Sequence, residues 1–157
     1  MNRTIKISLL LLVLVLVSGF TIVPRQASSA LDVHIEDVEH DISGGTGVFT
    51  ASGSAVDADA MCPAGDVEDL SVEVYETPNG IYEILIVTKK FTCDDSSGTF
   101  DVKMVVRLDL STNETIAIWR FTGGTGDYDG LRGLGKLVGT PVDPGVSITD
   151  VYDGKIR

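Results

Sequence analysis

The chain has 157 residues, of which 43% are hydrophobic and 22% charged, and its formal net charge is −11 at pH 7. This length predicts one domain that is large enough for a single packed core. The acidic excess disfavours nucleic acids and anionic lipid surfaces as partners, and it leaves divalent cations, basic partners or a plainly solvated surface as alternatives.

The first thirty residues have the pattern of a secretory signal peptide. Basic residues precede an uninterrupted apolar run at 9–17, and Ser28 and Ala30 supply the small residues that a signal peptidase requires. The run is much shorter than the roughly 20 apolar residues of a membrane span, so we expect cleavage rather than anchoring. Cleavage after Ala30 would leave residues 31–157 as one secreted or periplasmic domain, with nine basic and 23 acidic side chains and no membrane segment.

Beyond residue 30, apolar and polar residues alternate with the period of two that is typical of β-strands. In the clearest run, alternate residues of 100–110 are apolar and most of the residues between them are charged. Pro78-Asn79-Gly80 predicts the turn of a hairpin, because its glycine tolerates a positive φ angle. The runs predict strands near 32–39, 47–57, 70–76, 81–91, 99–110, 114–122, 131–139 and 146–152.

Eight strands with short connections favour an all-β fold, an eight-stranded antiparallel up-and-down β-barrel that follows a cleaved N-terminal signal helix. Closure into a barrel removes the edges that an open sheet would expose, although two stacked sheets remain an alternative. The runs at 81–91 and 114–121 are apolar on both faces. Something is therefore expected to cover their outer faces, and a homo-oligomer is one possibility.

Cys62 and Cys93 are the only two cysteines, and an even pair in an exported chain predicts one disulfide. A reactive or metal-binding thiol is the alternative, but no further soft ligands lie at zinc spacing.

No cofactor and no metal site is predicted. Gly130 to Lys136 imitate the beginning of a phosphate-binding loop, but Leu137 stands where a hydroxyl residue must ligate magnesium. Asp127, Asp129 and the acidic stretch 57–69 offer oxygen ligands but lack the distal glutamate of a calcium loop, so solvated carboxylates are expected. Asn113-Glu114-Thr115 is a potential N-glycosylation acceptor at a predicted turn.

A glycine-rich segment between Phe121 and Gly133 carries the one family resemblance of the chain. It combines Gly-Gly-Thr-Gly, an aromatic residue two positions later and a final Arg-Gly, and its residues are Gly123, Gly124, Gly126, Tyr128, Gly130, Arg132 and Gly133. This pattern resembles the signature segment of dirigent proteins, which belong with allene oxide cyclases to a superfamily of eight-stranded barrels. The segment 136–152 also resembles the end of small secreted bacterial and archaeal proteins of that barrel class.

The resemblance implies a barrel cavity that orients an apolar small molecule, a phenoxy radical pair in dirigent proteins or an epoxide in allene oxide cyclases, with Arg132 in the pocket wall. A barrel of eight strands is just wide enough to be filled by its own side chains or to hold one small ligand. Bulky residues such as Phe100 and Met104 favour filling, and the alternative is room near one end, beside small residues such as Gly53, Gly133 and Gly135.

Three functions are compatible with these observations. The first is a secreted barrel that binds an apolar or phenolic small molecule, with Arg132, Tyr128 and Trp119 as ligand-binding residues. The second is a dirigent-like guide or an allene-oxide-cyclase-like enzyme, although no acid–base constellation and therefore no catalytic residue can be assigned from the sequence. The third is a solid barrel that serves as a structural or interaction protein.

Overall fold

The structure is a computed structural model that describes residues 29–41 and 45–157. Most of the predicted signal peptide lies outside the described residues. Eight strands and one short helix follow in chain order: β1 (Leu31–Asp41), β2 (Thr46–Ser52), α1 (Ser54–Asp57), β3 (Ala64–Glu76), β4 (Tyr82–Cys93), β5 (Gly98–Asp109), β6 (Thr115–Gly126), β7 (Gly133–Asp143) and β8 (Ser147–Ile156).

The strands form a closed antiparallel barrel in which each strand pairs with its neighbours in sequence. The barrel closes where β1 pairs with β8, over a ladder that runs from Leu31 opposite Ile156 to Glu39 opposite Ile148. The predicted up-and-down barrel of eight strands is therefore confirmed, and the alternative of two stacked sheets is excluded. Every strand alternates between a side chain that faces the interior and one that faces outward.

The connection between β2 and β3 differs from the prediction. The sequence pattern extended one strand over 47–57, but β2 ends at Ser52 and α1 follows it. Gly53 makes this break, because its φ angle is 102° and a Cβ there would lie 2.7 Å from the carbonyl oxygen of Asp32. The next strand, β3, then begins at Ala64, six residues before its predicted start at 70.

One end of the barrel is closed by packed side chains. The α1 segment, the turn between β4 and β5 and the turn between β6 and β7 all lie at this end. The disulfide between Cys62 and Cys93, predicted from the sequence, joins the connection between α1 and β3 to the end of β4. Beneath it the ring of Phe91 stacks on Phe100 at 4.8 Å, and Phe49, Phe121, Tyr128 and Tyr152 make edge-to-face contacts with this pair. Trp119 packs in turn against Phe121 and Tyr152.

Glycines on β7 and β8 make room for the largest of these rings. A Cβ on Gly135 would lie 2.6 Å from the indole of Trp119, and one on Gly154 would lie closer still. A Cβ on Gly133 would lie 2.9 Å from the ring of Phe121. Of the two alternatives that the sequence left open, the space near Gly133 and Gly135 is therefore filled by neighbouring aromatic side chains.

The outer surface of the barrel includes exposed apolar residues on the strands that were predicted to be apolar on both faces. Ile116 and Ile118 on β6 are exposed, and so is Val105 on the adjacent strand β5. In the described part of the chain, no helix has the length and apolar character needed to cross a membrane.

Replacing both cysteines, as Cys62→Ser/Cys93→Ser, is expected to lower the free energy of unfolding by about 3.5 kcal/mol, because the disulfide closes a loop of roughly 30 residues in the unfolded chain. Guanidinium denaturation of the variant and the parent measures the difference. The barrel should keep its far-ultraviolet circular dichroism spectrum, and an unchanged denaturation midpoint would contradict the stabilising role of the disulfide.

Candidate functional site

The open end of the barrel contains a cavity of about 340 Å³. Its mouth is formed by the turns at the end opposite the disulfide, where Asn113 of the β5–β6 turn and Gly145 of the β7–β8 turn lie. The wall is mostly aliphatic and consists of Val72, Leu85, Val87, Met104, Val106, Leu108, Leu137, Pro141 and Ile148. The floor is formed by ionisable side chains, so the cavity combines an apolar wall with a charged base.

The floor is organised around the buried ammonium group of Lys89. Its Nζ donates hydrogen bonds to Asp37 Oδ2 at 3.2 Å, to Asp150 Oδ2 at 2.9 Å and to Glu39 Oε1. The hydroxyl of Tyr152 donates to the same Asp37 oxygen at 2.9 Å. All three N–H groups of the ammonium are therefore used by carboxylates.

The strand register explains why these residues meet. Asp37 and Glu39 continue the inward-facing series of Val33 and Ile35 along β1. Asp150 on β8 lies directly opposite Asp37 in the ladder that closes the barrel. Lys89 reaches this like-charge pair from β4, across the interior of the barrel.

A β-bulge in β3 brings a fourth carboxylate to the floor. The irregularity lies between Asp69 and Ser71, so Leu70 is the extra residue and Asp69 pairs directly with Lys89. The sequence pattern placed Leu70 on one face with Val72. The bulge instead leaves Leu70 exposed and lines the cavity with Asp69 and Val72.

Burial perturbs the titration of this cluster. The pKa of Asp37 is raised to about 7, first because burial removes its hydration and then because Asp150 and Glu39 lie nearby, while the attraction of Lys89 opposes the increase. Burial likewise raises the pKa of Asp69 to about 6. Burial alone would lower the pKa of Lys89, but Tyr152 and the three carboxylates around it raise that pKa well above its ordinary value. Lys89 is therefore a cation at neutral pH, whereas Asp37 and Asp69 exchange protons near neutrality.

Several carboxylate oxygens at the floor have no hydrogen-bond donor among the described residues. They are Oδ1 of Asp37, of Asp69 and of Asp150. Asp150 and Asp69 line the cavity, whereas Asp37 lies behind it. Since Lys89 has no N–H group left to offer, the hydrogen-bonding capacity that the floor presents to a bound molecule is that of an acceptor.

The same carboxylates also have the spacing of a metal site. Oxygens of Asp37, Glu39 and Asp150 lie within 4.8 Å of one another. The ammonium of Lys89 bonds to all three residues, so a metal ion would have to displace it. The donor set is therefore better explained by the internal cation than by a metal.

The residues that the sequence singled out for ligand binding lie elsewhere. Trp119 is buried in the closed half, where its indole N–H donates to the carbonyl oxygen of Lys136 at 2.9 Å. Tyr128 plugs the closed end, and its hydroxyl is 2.8 Å from Ser97 Oγ. Arg132 is exposed, and it borders a groove on the outer surface together with part of Trp119.

The glycine-rich segment is mainly a structural element. Gly123, Gly124 and Gly126 belong to the end of β6, whereas Gly130 lies in the turn and Gly133 begins β7. A Cβ on Gly124 would meet the backbone carbonyl of Tyr128. The glycine at that position lets the turn fold back so that the tyrosine enters the barrel end.

Sequence reasoning missed the residues of the floor. The alternation along β1 places Asp37 and Glu39 on the apolar face, and charged residues at inward positions are a signal that the sequence already contained. Lys89 occupies the inward series of β4 in the same way. Their convergence depends on the closure of the barrel, which the pattern of one strand does not reveal.

The variant Lys89→Met is expected to lower the free energy of unfolding by about 3–5 kcal/mol at pH 8, because it leaves buried carboxylates without a cation. The loss should be smaller at pH 5, where the raised pKa values of Asp37 and Asp69 let these two groups take up protons. Lys90→Met is the matched control, since the ion pair of Lys90 with Glu68 at 3.0 Å is exposed and is worth less than about 1 kcal/mol. Equal losses in the two variants, measured by chemical denaturation, would contradict the proposed role of the cluster.

The variant Asp37→Asn is expected to flatten the pH dependence of stability. The folded-state pKa of Asp37 is about 7 against an ordinary value of 3.8, so the folded protein binds more protons than the unfolded chain between these values. The free energy of unfolding of the parent should therefore fall as pH rises through this window, by about 4 kcal/mol from this group. Denaturation curves at several pH values test this, with Asp129→Asn in an exposed turn as control. If the free energy of unfolding of Asp37→Asn changes with pH as steeply as that of the parent, the raised pKa does not belong to Asp37.

No known family model matches this chain, and no curated protein sequence matches it either. The resemblance of its glycine-rich segment to dirigent proteins therefore rests on that short segment and on the shared type of barrel. The described structure supports the type of fold that this resemblance implies, because the chain folds as a closed eight-stranded antiparallel β-barrel.

Proposed function

We propose that this protein binds an apolar small molecule, and preferentially a phenolic one, in the open half of the barrel. One observation carries the proposal: a cavity of about 340 Å³ has aliphatic walls and ends in a floor of buried carboxylates. This volume lies in the range of cavities that hold small ligands. The closed half is filled by aromatic side chains, so a ligand would enter through the mouth.

The wall supports binding of the apolar body of the ligand. Leu85, Val87, Val106 and Leu137 face the cavity from strands β4 to β7. Burial of apolar surface stabilises a complex by roughly 25 cal/mol for each Å² removed from water. A ring or short alkyl chain would lie against these side chains without needing any polar partner there.

The floor supports a head group that donates a hydrogen bond. Asp150 Oδ1 and Asp69 Oδ1 accept no hydrogen bond from the described residues, and Lys89 has no free N–H. A phenolic hydroxyl would donate to a carboxylate of Glu39, Asp69 or Asp150, the acidic residues that line the cavity. A carboxylate head group would instead meet like charge, because the floor has four carboxyl groups and one ammonium group.

We place this binding outside the cytoplasm. The disulfide between Cys62 and Cys93 supports the proposal, since such bonds persist mainly in oxidising compartments. The leader pattern of the first thirty residues agrees with it.

A set of ligands that differ only in the head group tests the proposal. Para-hexylphenol should raise the melting temperature of the protein and bind about tenfold more tightly than its O-methyl ether, which lacks the donor and so loses about 1.4 kcal/mol. Para-hexylbenzoate should bind most weakly. Isothermal titration calorimetry measures the three affinities. Equal affinities for the phenol and the benzoate would contradict the acceptor role of the floor.

Neighbouring positions on β4 supply a matched pair of variants. Leu85→Trp places an indole in the cavity and should abolish binding of para-hexylphenol, whereas Ile86→Trp places it on the outer face and should leave binding unchanged. Circular dichroism controls for folding of both variants. Binding that persists in Leu85→Trp, or disappears in both folded variants, would place the ligand elsewhere.

A second candidate function is a dirigent-like guide or an allene-oxide-cyclase-like enzyme. Asp69 favours it, because its pKa of about 6 and its position at the floor suit a group that exchanges a proton with a bound molecule near neutral pH. Oxidative coupling of phenols in the presence of the protein separates the two functions. An excess of one enantiomer that disappears with Leu85→Trp would support the role of a guide. A racemic product would support binding as the only function of the cavity.

A further inference from the structure

We propose that the outer face of β5–β8 docks on an anionic lipid bilayer. This inference concerns a surface separate from the ligand cavity, and it does not depend on the proposed function. It rests on the distribution of charge, on like-charged pairs that have no counterion among the described residues, and on the exposed apolar side chains between them.

The basic residues of the barrel are concentrated on one side. Nine lysines and arginines follow residue 30. Lys89 is buried in the interior and Lys90 lies on the outside of β4. The other seven lie on the outward positions of β5–β8 or directly beside them: Lys103, Arg107, Arg120, Arg132, Lys136, Lys155 and Arg157.

Five of these cations line one groove on the outer surface. They are Lys103, Arg120, Arg132, Lys155 and Arg157, and the groove has a volume of about 1110 Å³. No aspartate or glutamate is among its lining residues in the described part of the chain. Lys155 pairs with Asp32 at 2.7 Å, but the other four cations form no ion pair with any described residue.

The groove contains two like-charged pairs on adjacent strands. Lys103 on β5 lies directly opposite Arg120 on β6. Arg132 and Arg157 exchange both backbone hydrogen bonds, at 3.2 and 2.8 Å, where β7 and β8 meet. Like charges directly opposite one another destabilise a sheet. The chain has 23 acidic residues, yet no aspartate or glutamate lines the groove beside these opposed cations. This arrangement indicates a surface that meets an external anion.

Apolar side chains lie between these cations. Ile118 is 68% exposed and Leu134 is 67% exposed, and both line the groove with Val105. Val105 and Ile118 are cross-strand neighbours. Aliphatic residues surrounded by lysine and arginine are the pattern of a surface that lies in the bilayer interface, where the apolar residues enter the headgroup region and the cations bind anionic headgroups.

The net negative charge of the protein does not prevent this docking. At physiological ionic strength, charges separated by more than about 8 Å through solvent are largely screened. A barrel of eight strands spaced by about 4.8 Å has a diameter of roughly 16 Å, so acidic side chains on the far strands contribute little at the groove. On the near strands, exposed Asp153 lies directly opposite Lys136 but does not line the groove. The five cations that line the groove therefore dominate the interaction at contact, and the overall charge that disfavoured anionic lipids in the sequence does not describe this groove.

A bilayer fits the face better than the two other occupants. A second copy related by a two-fold axis would place these cations against the same cations of its partner. A soluble polyanion would satisfy the cations but would leave Ile118 and Leu134 in water. Of these three occupants, only an anionic bilayer supplies negative charge and an apolar layer together.

Co-sedimentation with vesicles tests the proposal with the purified protein. Vesicles of phosphatidylglycerol and phosphatidylcholine in equal amounts should bind the protein at low salt, and binding should weaken as salt is raised. Vesicles of phosphatidylcholine alone should bind it weakly or not at all.

Matched variants locate the interaction on the groove. Lys103→Gln should weaken binding about fivefold, and Lys103→Gln/Arg120→Gln about 30-fold, at roughly 1 kcal/mol for each charge near the surface. Lys90→Gln is the charge control on β4. Ile118→Ser should weaken binding about tenfold, whereas Val142→Ser, at a position that is 65% exposed but outside the groove, should not.

Melting temperatures of all variants establish that each remains folded. Absence of binding by the folded protein, equal binding to both kinds of vesicle, or equal losses in groove and control variants would overturn the proposal. A protein that ignores vesicles but self-associates, with Ile118→Ser restoring the monomer, would assign the face to a second copy. Binding of heparin without binding of vesicles would assign it to a soluble polyanion.

Discussion

The ammonium of Lys89 joins strands that no turn connects. It extends from β4 and bonds to carboxylates on β1 and β8, the two strands whose pairing closes the barrel. Asp37 and Asp150 lie directly opposite each other at this seam, and without a cation they would be two buried negative charges in contact. The cluster also divides the interior, because aromatic rings pack on one side of it and the open cavity lies on the other. The buried ammonium therefore stabilises the seam where the barrel closes and lies at the boundary between the filled half and the cavity.

The close packing in the filled half of the barrel depends on glycines. An eight-stranded barrel has little spare interior width, so a tryptophan fits only where its neighbours are small. Gly135 and Gly154 flank the indole of Trp119 on β7 and β8. At the other end the inward residues are aliphatic, and they are too short to meet across the barrel. Along the same strands, inward residues are aromatic toward the closed end and aliphatic toward the mouth. This difference in size leaves space at the mouth and none at the closed end.

The sequence was sufficient to predict the fold class, the number and order of strands and the disulfide, because period-two alternation and paired cysteines are local signals. Prediction from the sequence failed where a single residue interrupts the alternation of inward and outward side chains. Gly53 ends β2, and Leu70 forms the bulge that turns Asp69 inward. The floor was missed because Lys89 lies in a strand that the pattern described as apolar on both faces. Its partners become neighbours only when the barrel closes. Tyr128, singled out by family resemblance, fills the closed end instead of lining the cavity.

Alternation along a strand allows the two proposed surfaces to share elements without sharing side chains. On β5, Met104, Val106 and Leu108 line the cavity, whereas Lys103 and Val105 face the outer groove. The groove lies toward the closed end, where β6 ends and the chain terminus pairs with Arg132, while the mouth lies among the turns at the opposite end. A bilayer against the outer face would therefore run alongside the barrel and leave the mouth accessible.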